Sequence, residues 1–441
     1  MKKQNLKKQA LITTLNDTLV RGMGFLLRLW ISRRLGAEAL GIMELASGAH
    51  MLALTPAASG LPGAVSRLTA KSKTEEERKQ VFYAGRQLAL RLSLIICPLF
   101  LLFSPGIARL SGDMRTLPSL IFFAPCVFFI GLSSVYDGAC YGRGNAWPPA
   151  LSELTEQLIR MGTVFLLLGL LPRLTIPWRA ALPAFSGMLG EGAGLIAVML
   201  LCRGWHSKGG ASHLPRLRKK LWRLSLPLML SRLSHTGLKT LCGIMIPFRL
   251  MACGLSRGEA LGRLGMLNGM VMPLLFLPGL ISGALSTVGG PAMARCQDAR
   301  QENHLALRLL FFALCCGLLC AGTLYWAAPL IACGFYRLPE LIPLIRCLCP
   351  MAAILPLQQV TNGLMTGLGL QKKSFFSSLL GAGATLLCTW RWAGIPRLNI
   401  LGAGYAQIIG HGLTLFSLLV FLLCREKKAA PSCSPAPGNF P

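Results

Sequence analysis

The residues whose types and spacing could carry chemistry are concentrated in one short run, LSELTEQLIR (151–160), directly ahead of the hydrocarbon-like stretch MGTVFLLLGLL. On a helix Glu153, Glu156, Gln157 and Arg160 share one face, and the apolar residues around them supply the other. Carboxylates beside a guanidinium could act as an acid and a base, line a polar cavity, or neutralise one another. Catalysis finds no companion motif: the chain has no Walker loop, no HExxH, no GxSxG and no DxD. Two readings stay open. Glu156, Gln157 and Arg160 wall a substrate cavity, or Glu156 and Arg160, four residues apart, pair and pin the helix against its neighbours.

The elements that must position this face are set by hydropathy. Of the 441 residues 53% are hydrophobic and 14% charged, the profile of a polytopic membrane protein. A bilayer core of about 30 Å takes about 20 apolar residues per helix. Twelve segments reach that length, at about 11–35, 39–66, 87–108, 117–140, 148–171, 180–202, 224–247, 261–288, 307–332, 340–366, 375–391 and 400–423. The expected fold is therefore all-α, with about twelve transmembrane helices. The formal charge of +29 lies mostly between apolar runs, so it reads as a topology signal and not as a nucleic-acid footprint. With both termini cytoplasmic, the cytoplasmic connections hold about twice the Lys and Arg of the others, as the positive-inside rule requires. No small-residue cleavage site follows MKKQNLKKQA, so the first segment is expected to be retained. The 16 cysteines are scattered through apolar runs and read as small buried hydrophobes, with no metal site and no cofactor implied.

A basic stretch, RGWHSKGGASHLPRLRKKLWR (203–223), divides the chain. The expected organisation is a six-helix bundle over 1–202, a cytoplasmic linker over 203–223, a second six-helix bundle over 224–424 and a disordered Pro-rich cytoplasmic tail over 425–441. The halves echo one another. Glu38-Ala39-Leu40-Gly41 before Gly48 recurs as Glu259-Ala260-Leu261-Gly262 before Gly269. Pro125, Gly138, Gly142 and Gly144 recur as Pro350, Gly363, Gly367 and Gly369, and Leu15, Thr18 and Arg21 align with Leu233, Thr236 and Lys239. Six segments per half make the repeats parallel, an arrangement that puts a substrate site between the halves near mid-membrane. The GxxxG pairs at Gly138/Gly142 and Gly363/Gly367 are expected to permit close helix packing.

Charges inside apolar segments are expensive, so each needs a reason. Arg21 and Arg28 stand two turns apart on the first segment; Arg232 and Lys239 repeat that spacing on the seventh. They either snorkel to an interface or line an aqueous cavity. A cationic cavity attracts anions, and arginine makes forked hydrogen bonds to phosphate. A lipid-linked sugar pyrophosphate suits such a cavity, since its headgroup must cross while its tail stays in lipid. Asp17, Glu44, Asp137 and Glu191 either couple transport to Na⁺ or H⁺ or balance a nearby arginine.

SGLPGAVSRLTAK (59–71), APCVFFIGL with Gly138 and Gly142, PALSELTEQLIR and LFLPGLISGALSTVGGPA (275–292) together resemble the stage V sporulation protein B group of polysaccharide exporters. That group belongs to the multidrug/oligosaccharidyl-lipid/polysaccharide flippase superfamily, which includes the lipid II flippases. The resemblance implies two six-helix bundles around a central cavity, in the bacterial plasma membrane. It implies export of a lipid-linked oligosaccharide or peptidoglycan precursor, driven by an ion gradient or membrane potential, alongside cell-wall synthesis enzymes. Glu156, Gln157 and Arg160 look like the family's EQxxR element, and Gly60, Leu61, Pro62, Ser66 and Arg67 like its GLPxAxSR/K element. The chain departs from the pattern at Glu153, where a neutral polar residue is expected, and at Asp137, where a basic one is common. Many relatives also carry two further C-terminal spans. Alternatives are a multidrug exporter of the same superfamily, which needs an acidic cavity, and a membrane enzyme of envelope glycan synthesis, which needs a large external loop.

Overall fold

The computed structural model describes residues 3–171, 173–205, 214–295 and 298–424, and no strand occurs among them. The expected tail over 425–441 and the middle of the expected linker, 206–213, lie outside the described residues. The first half consists of α1 (Lys3–Leu35), α2 (Ala37–Ala58), α3 (Leu61–Lys71), α4 (Glu75–Leu110), α5 (Leu117–Arg143), α6 (Trp147–Leu170) and α7 (Ile176–Leu201). The second consists of α8 (Leu214–Ala252), α9 (Arg257–Leu264), α10 (Met272–Leu275), α11 (Gly279–Arg295), α12 (Ala299–Pro329), α13 (Leu341–Leu348), α14 (Met351–Gly367), α15 (Gln371–Trp392) and α16 (Asn399–Leu423). Wide π-helical turns follow α9 at Gly265–Val271 and α12 at Leu330–Tyr336.

The twelve expected segments fall largely on helix, but several are not single rods. The second breaks between α2 and α3 at Ser59 and Gly60, where Gly60 has φ 86°. Pro62 follows in the first turn of α3, where its missing N–H leaves nothing unsatisfied. Residues 214–223, expected as linker, are instead the first turns of α8. By length and apolarity alone, five helices among the described residues can cross a membrane: Glu75–Leu110, Met114–Arg143, Ile176–Leu201, Arg300–Tyr336 and Asn399–Leu423. α13 and α14, bent by 42°, make a sixth when taken together.

Helix boundaries follow local chemistry. Thr74 caps α4 by accepting from the Glu77 N–H at 3.2 Å. Ser256 and Glu259 form a reciprocal capping box at the start of α9. Gly144 closes α5 in the left-handed region at φ 71°, and its echo Gly369 adopts φ 77° after α14.

In lipid, helices associate by dispersion and close approach, so small residues decide where they meet. The echoed glycines inside the helices sit at such meetings. A Cβ on Gly138 would stand 2.5 Å from the Pro62 carbonyl oxygen, and one on Gly363 would stand 2.8 Å from that of Ser286. One level on, Gly142 rests on Ser66 and Thr69, and Gly367 on Gly290. The halves themselves meet through the first echo. A Cβ on Gly41 would overlap the Leu261 carbonyl oxygen, and one on Gly265 would overlap that of Ala37.

Around this crossing lies the largest apolar core. Leu27 and Leu40 of the first half and Ile246, Leu264, Leu267 and Leu348 of the second belong to it, and all are buried. It occupies the end of the bundle that carries the α1–α2 and α8–α9 connections. At the opposite end the first turns of α8 cross over to the first half: Leu214 and Leu221 pack in its core with Val65 and Phe82. A Cβ on Gly60 would stand 2.6 Å from the Ser225 carbonyl oxygen.

Gly41→Ala is expected to lower stability by about 1–3 kcal/mol through overpacking, read as a lower melting midpoint of the purified chain in detergent. Gly162→Ala, whose Cβ would meet nothing within 4 Å, should stay within about 1 kcal/mol of the wild type.

Candidate functional site

Between the halves lies a cavity of about 790 Å³, lined from α1, α2, α8, the turn after α9, α14, α15 and α16. Its size falls within the range of about 300–1,000 Å³ usual for small-molecule sites. α1 contributes Arg21, Gly24 and Arg28, and α2 contributes Glu44 and Ser47. From α8 come His235, Thr236, Lys239 and Thr240. Arg21 and Lys239, placed alike in the two halves by the third echo, thus meet at one cavity.

The cations differ in what holds them. Arg28 is salt-bridged to Glu44 and donates to the Asn268 carbonyl at 3.2 Å, linking α1 to α2 and to the second half. Arg21 and Lys239 are exposed to the cavity, and neither enters an ion pair among the described residues. Glu44 is the one acid among the lining residues described, and Arg28 neutralises it.

LSELTEQLIR lies elsewhere. α6 packs against α7 and α1, and Arg160 donates to Glu156, one turn earlier, and to Glu191 of α7 at 2.8 Å. Gly190 and Gly194 let α7 approach: a Cβ on Gly190 would stand 2.8 Å from the Glu156 carbonyl oxygen. Gln157 is buried, and its Nε2 lies 3.5 Å from where a Cβ on Gly24 would stand. Since Gly24 also lines the cavity, the Arg160 cluster sits one helix behind it. The geometry favours the pairing reading of this face over the cavity-wall reading, because Glu156, Gln157 and Arg160 are not among the lining residues.

The remaining candidates scatter. Asp17 lies near Arg21 on α1. Asn16 donates to Glu153 at 2.7 Å, and Glu153 is a near neighbour of Asp17. Asp137 on α5 has Glu153 and Glu156 as its charged neighbours, and its Oδ1 is buried without a hydrogen-bond partner. Arg232 on α8 and Arg67 on α3 are exposed and do not line the cavity. Among the described residues no three His, Cys, Asp or Glu side chains are placed to hold a metal ion.

Sequence reasoning passed over the second half's uncharged polar groups. His411 Nδ1 and Gln358 Oε1 are 2.9 Å apart, Ser282 donates to Gln359 at 2.7 Å, and Gln407 reaches Asn268 at 3.4 Å. All of these except Ser282 line the cavity. The available signal was polarity inside apolar runs: Gln358-Gln359 in ILPLQQV, and Gln407 with His411 one turn later in YAQIIGHG.

The family model for polysaccharide biosynthesis proteins matches residues 6–297. The chain belongs to that family. Over 433 residues this family member is 28% identical to stage V sporulation protein B of Bacillus subtilis (strain 168), covering 95% of the chain and 83% of the relative. Its fold is shared with lipid II flippase MurJ in an inward closed conformation, at TM-score 0.73 and 13% identity over 94% of this chain and 87% of that one. It is also shared with an inward-facing multidrug resistance MATE transporter of the MOP superfamily, at TM-score 0.71 and 17% identity over 92% and 94% of the two chains. A MOP superfamily transporter from Pyrococcus furiosus Vc1, described as having a binding pocket of reverse polarity, matches at TM-score 0.65 and 18% identity over 96% and 98%. The family member is thus a multi-pass membrane protein with a fold shared by transporters and flippases.

Arg160→Gln leaves Glu156 and Glu191 uncompensated, and because none of the three is fully buried the loss is expected at about 2–3 kcal/mol. The Arg160→Gln, Glu191→Gln double variant should recover most of it in thermal unfolding.

Proposed function

We propose that the chain flips a lipid-linked oligosaccharide or peptidoglycan precursor, passing its anionic headgroup through the cavity between the halves by alternating access. The carrying observation is the pair Arg21 and Lys239, cations from equivalent helices facing one cavity with no carboxylate paired to them among the described residues. A charge that close to the bilayer core is retained where it meets water or a counter-ion. A pyrophosphate supplies that counter-ion, with several acceptor oxygens for the guanidinium and ammonium donors. An exporter of organic cations needs the opposite sign. Membership of the polysaccharide biosynthesis family, and the fold shared with a lipid II flippase, support the same substrate class.

Orientation, coupling and partners are parts of this proposal. The excess of Lys and Arg on the side of the termini supports a cytoplasmic placement of both ends in the plasma membrane. For coupling to Na⁺ or H⁺ we favour Asp17 and Asp137, because Glu44 and Glu191 are already held by Arg28 and Arg160. Cell-wall synthesis enzymes would load the carrier on one side and consume it on the other, with no contact to this chain required.

Proteoliposomes containing fluorescent lipid II, or an undecaprenyl-linked polysaccharide unit, should show headgroup translocation, tested with and without Na⁺ and voltage. Arg21→Ala and Lys239→Ala should each slow it by about tenfold or more, the loss of one charge-assisted hydrogen bond, at unchanged membrane levels. Wild-type rates in both variants would sink the cationic-cavity reading.

A further inference from the structure

The part of the cavity wall formed by α14 and α16 has a different chemistry from the cationic side. α14 and α16 present Gln358, Gln407 and His411, and the turn after α9 adds Asn268; none of these carries a formal negative charge. They are tied in pairs, His411 to Gln358 at 2.9 Å and Gln407 to Asn268 at 3.4 Å, which leaves capacity unused. Each amide has two donors and two acceptor lone pairs, and each pairing occupies one of them. The Oε1 of Gln407 is buried with no hydrogen-bond partner in the structure.

Such a wall suits a particular ligand. A phosphate or carboxylate oxygen only accepts, so it can use the free amide N–H donors of this wall but leaves the unfilled acceptor of Gln407 unpaired. A sugar hydroxyl donates and accepts at once, and an acetamido group carries an N–H and a carbonyl, so both complement amide side chains without any net charge. The cations that suit a phosphate stand on the adjoining wall, at Arg21 and Lys239. A ligand that satisfies both walls carries an anion directly joined to an uncharged, hydroxyl-rich group.

We propose that Gln358, Gln407 and His411 form a subsite for the uncharged, phosphate-linked sugar of the transported lipid, so that the chain prefers glycosylated polyprenyl pyrophosphate over the bare carrier. This rests on the transport reading above and adds to it the group that sets selectivity. A site built around a hydroxyl discriminates strongly against a ligand lacking it, because its own polar groups are then left unpaired. The preference keeps the bare carrier from being moved unproductively.

The test is a comparison of flip rates in proteoliposomes for undecaprenyl pyrophosphate bearing one N-acetylhexosamine and for undecaprenyl pyrophosphate alone. The wild type is expected to favour the glycosylated lipid by about tenfold or more, and Gln358→Met or Gln407→Met to erase most of that ratio by slowing the glycosylated lipid. The rate for the bare lipid should stay within about twofold in both variants, a change too small to reflect a lost hydrogen bond. If one variant fails to accumulate in membranes, the other carries the same comparison. Equal wild-type rates for the two lipids, an unchanged ratio in the variants, or parallel loss of both rates overturns the subsite while leaving transport standing. A wild type that moves neither lipid overturns the transport reading with it.

Discussion

Backbone meets backbone where α2 crosses α9, with Gly41 on the Leu261 carbonyl and Gly265 on that of Ala37. No side chain intervenes, so the two halves cannot slide along this contact without steric conflict. The buried leucines around it seal one end of the bundle, and the cavity is what remains below the seal. The Gly41–Leu261 contact joins one copy of the echoed motif to the other, and the Gly265–Ala37 contact lies just beside it. Arg21 and Lys239, equivalent positions of the third echo, both face the cavity.

Charge is distributed on a simple physical rule. Arginines that brace structure have acids beside them: Arg160 between Glu156 and Glu191, Arg115 between Asp113 and Glu38, Arg143 against Glu75. Each such group removes its own desolvation problem and has little left to offer a ligand. Arg21 and Lys239, which have no ion-pair partner among the described residues, stand instead at the cavity, where water or a substrate anion can reach them. An excess of positive charge in the sequence is therefore a poor guide to function until the paired fraction is subtracted.

Much of this was legible beforehand. Apolar run length gave the helical class, and the echoes picked out glycines that turn out to sit at helix crossings. Of the four cations singled out by the seven-residue spacing of Arg21 with Arg28 and of Arg232 with Lys239, three line the cavity: Arg21, Arg28 and Lys239. What stayed hidden was hidden for physical reasons. A helix face has a direction only once its neighbours are known, so the polar stripe of α6 could as well have faced a cavity as the α7 glycines it meets. The amides of α14 and α16 carry no charge, and a reading weighted toward ionised groups passes over them. The break at Gly60 and the wide turn after α9 alter few residues in a hydropathy profile, yet each redirects a helix.

That wide turn has a consequence of its own. In Gly265–Val271 the Met272 N–H bonds back to the Leu267 carbonyl, five residues earlier, and the neighbouring Asn268 carbonyl accepts from Arg28. A π turn takes up one residue more than an α turn, and one residue is about 100° of rotation about the axis. Everything that follows, from Met272 and Pro273 to Phe276, therefore points where it does because of a count of residues. Deleting one position here would swing those side chains off the cavity while leaving composition and hydropathy almost untouched. At this point in the molecule the length of the chain is itself a determinant of what the cavity sees.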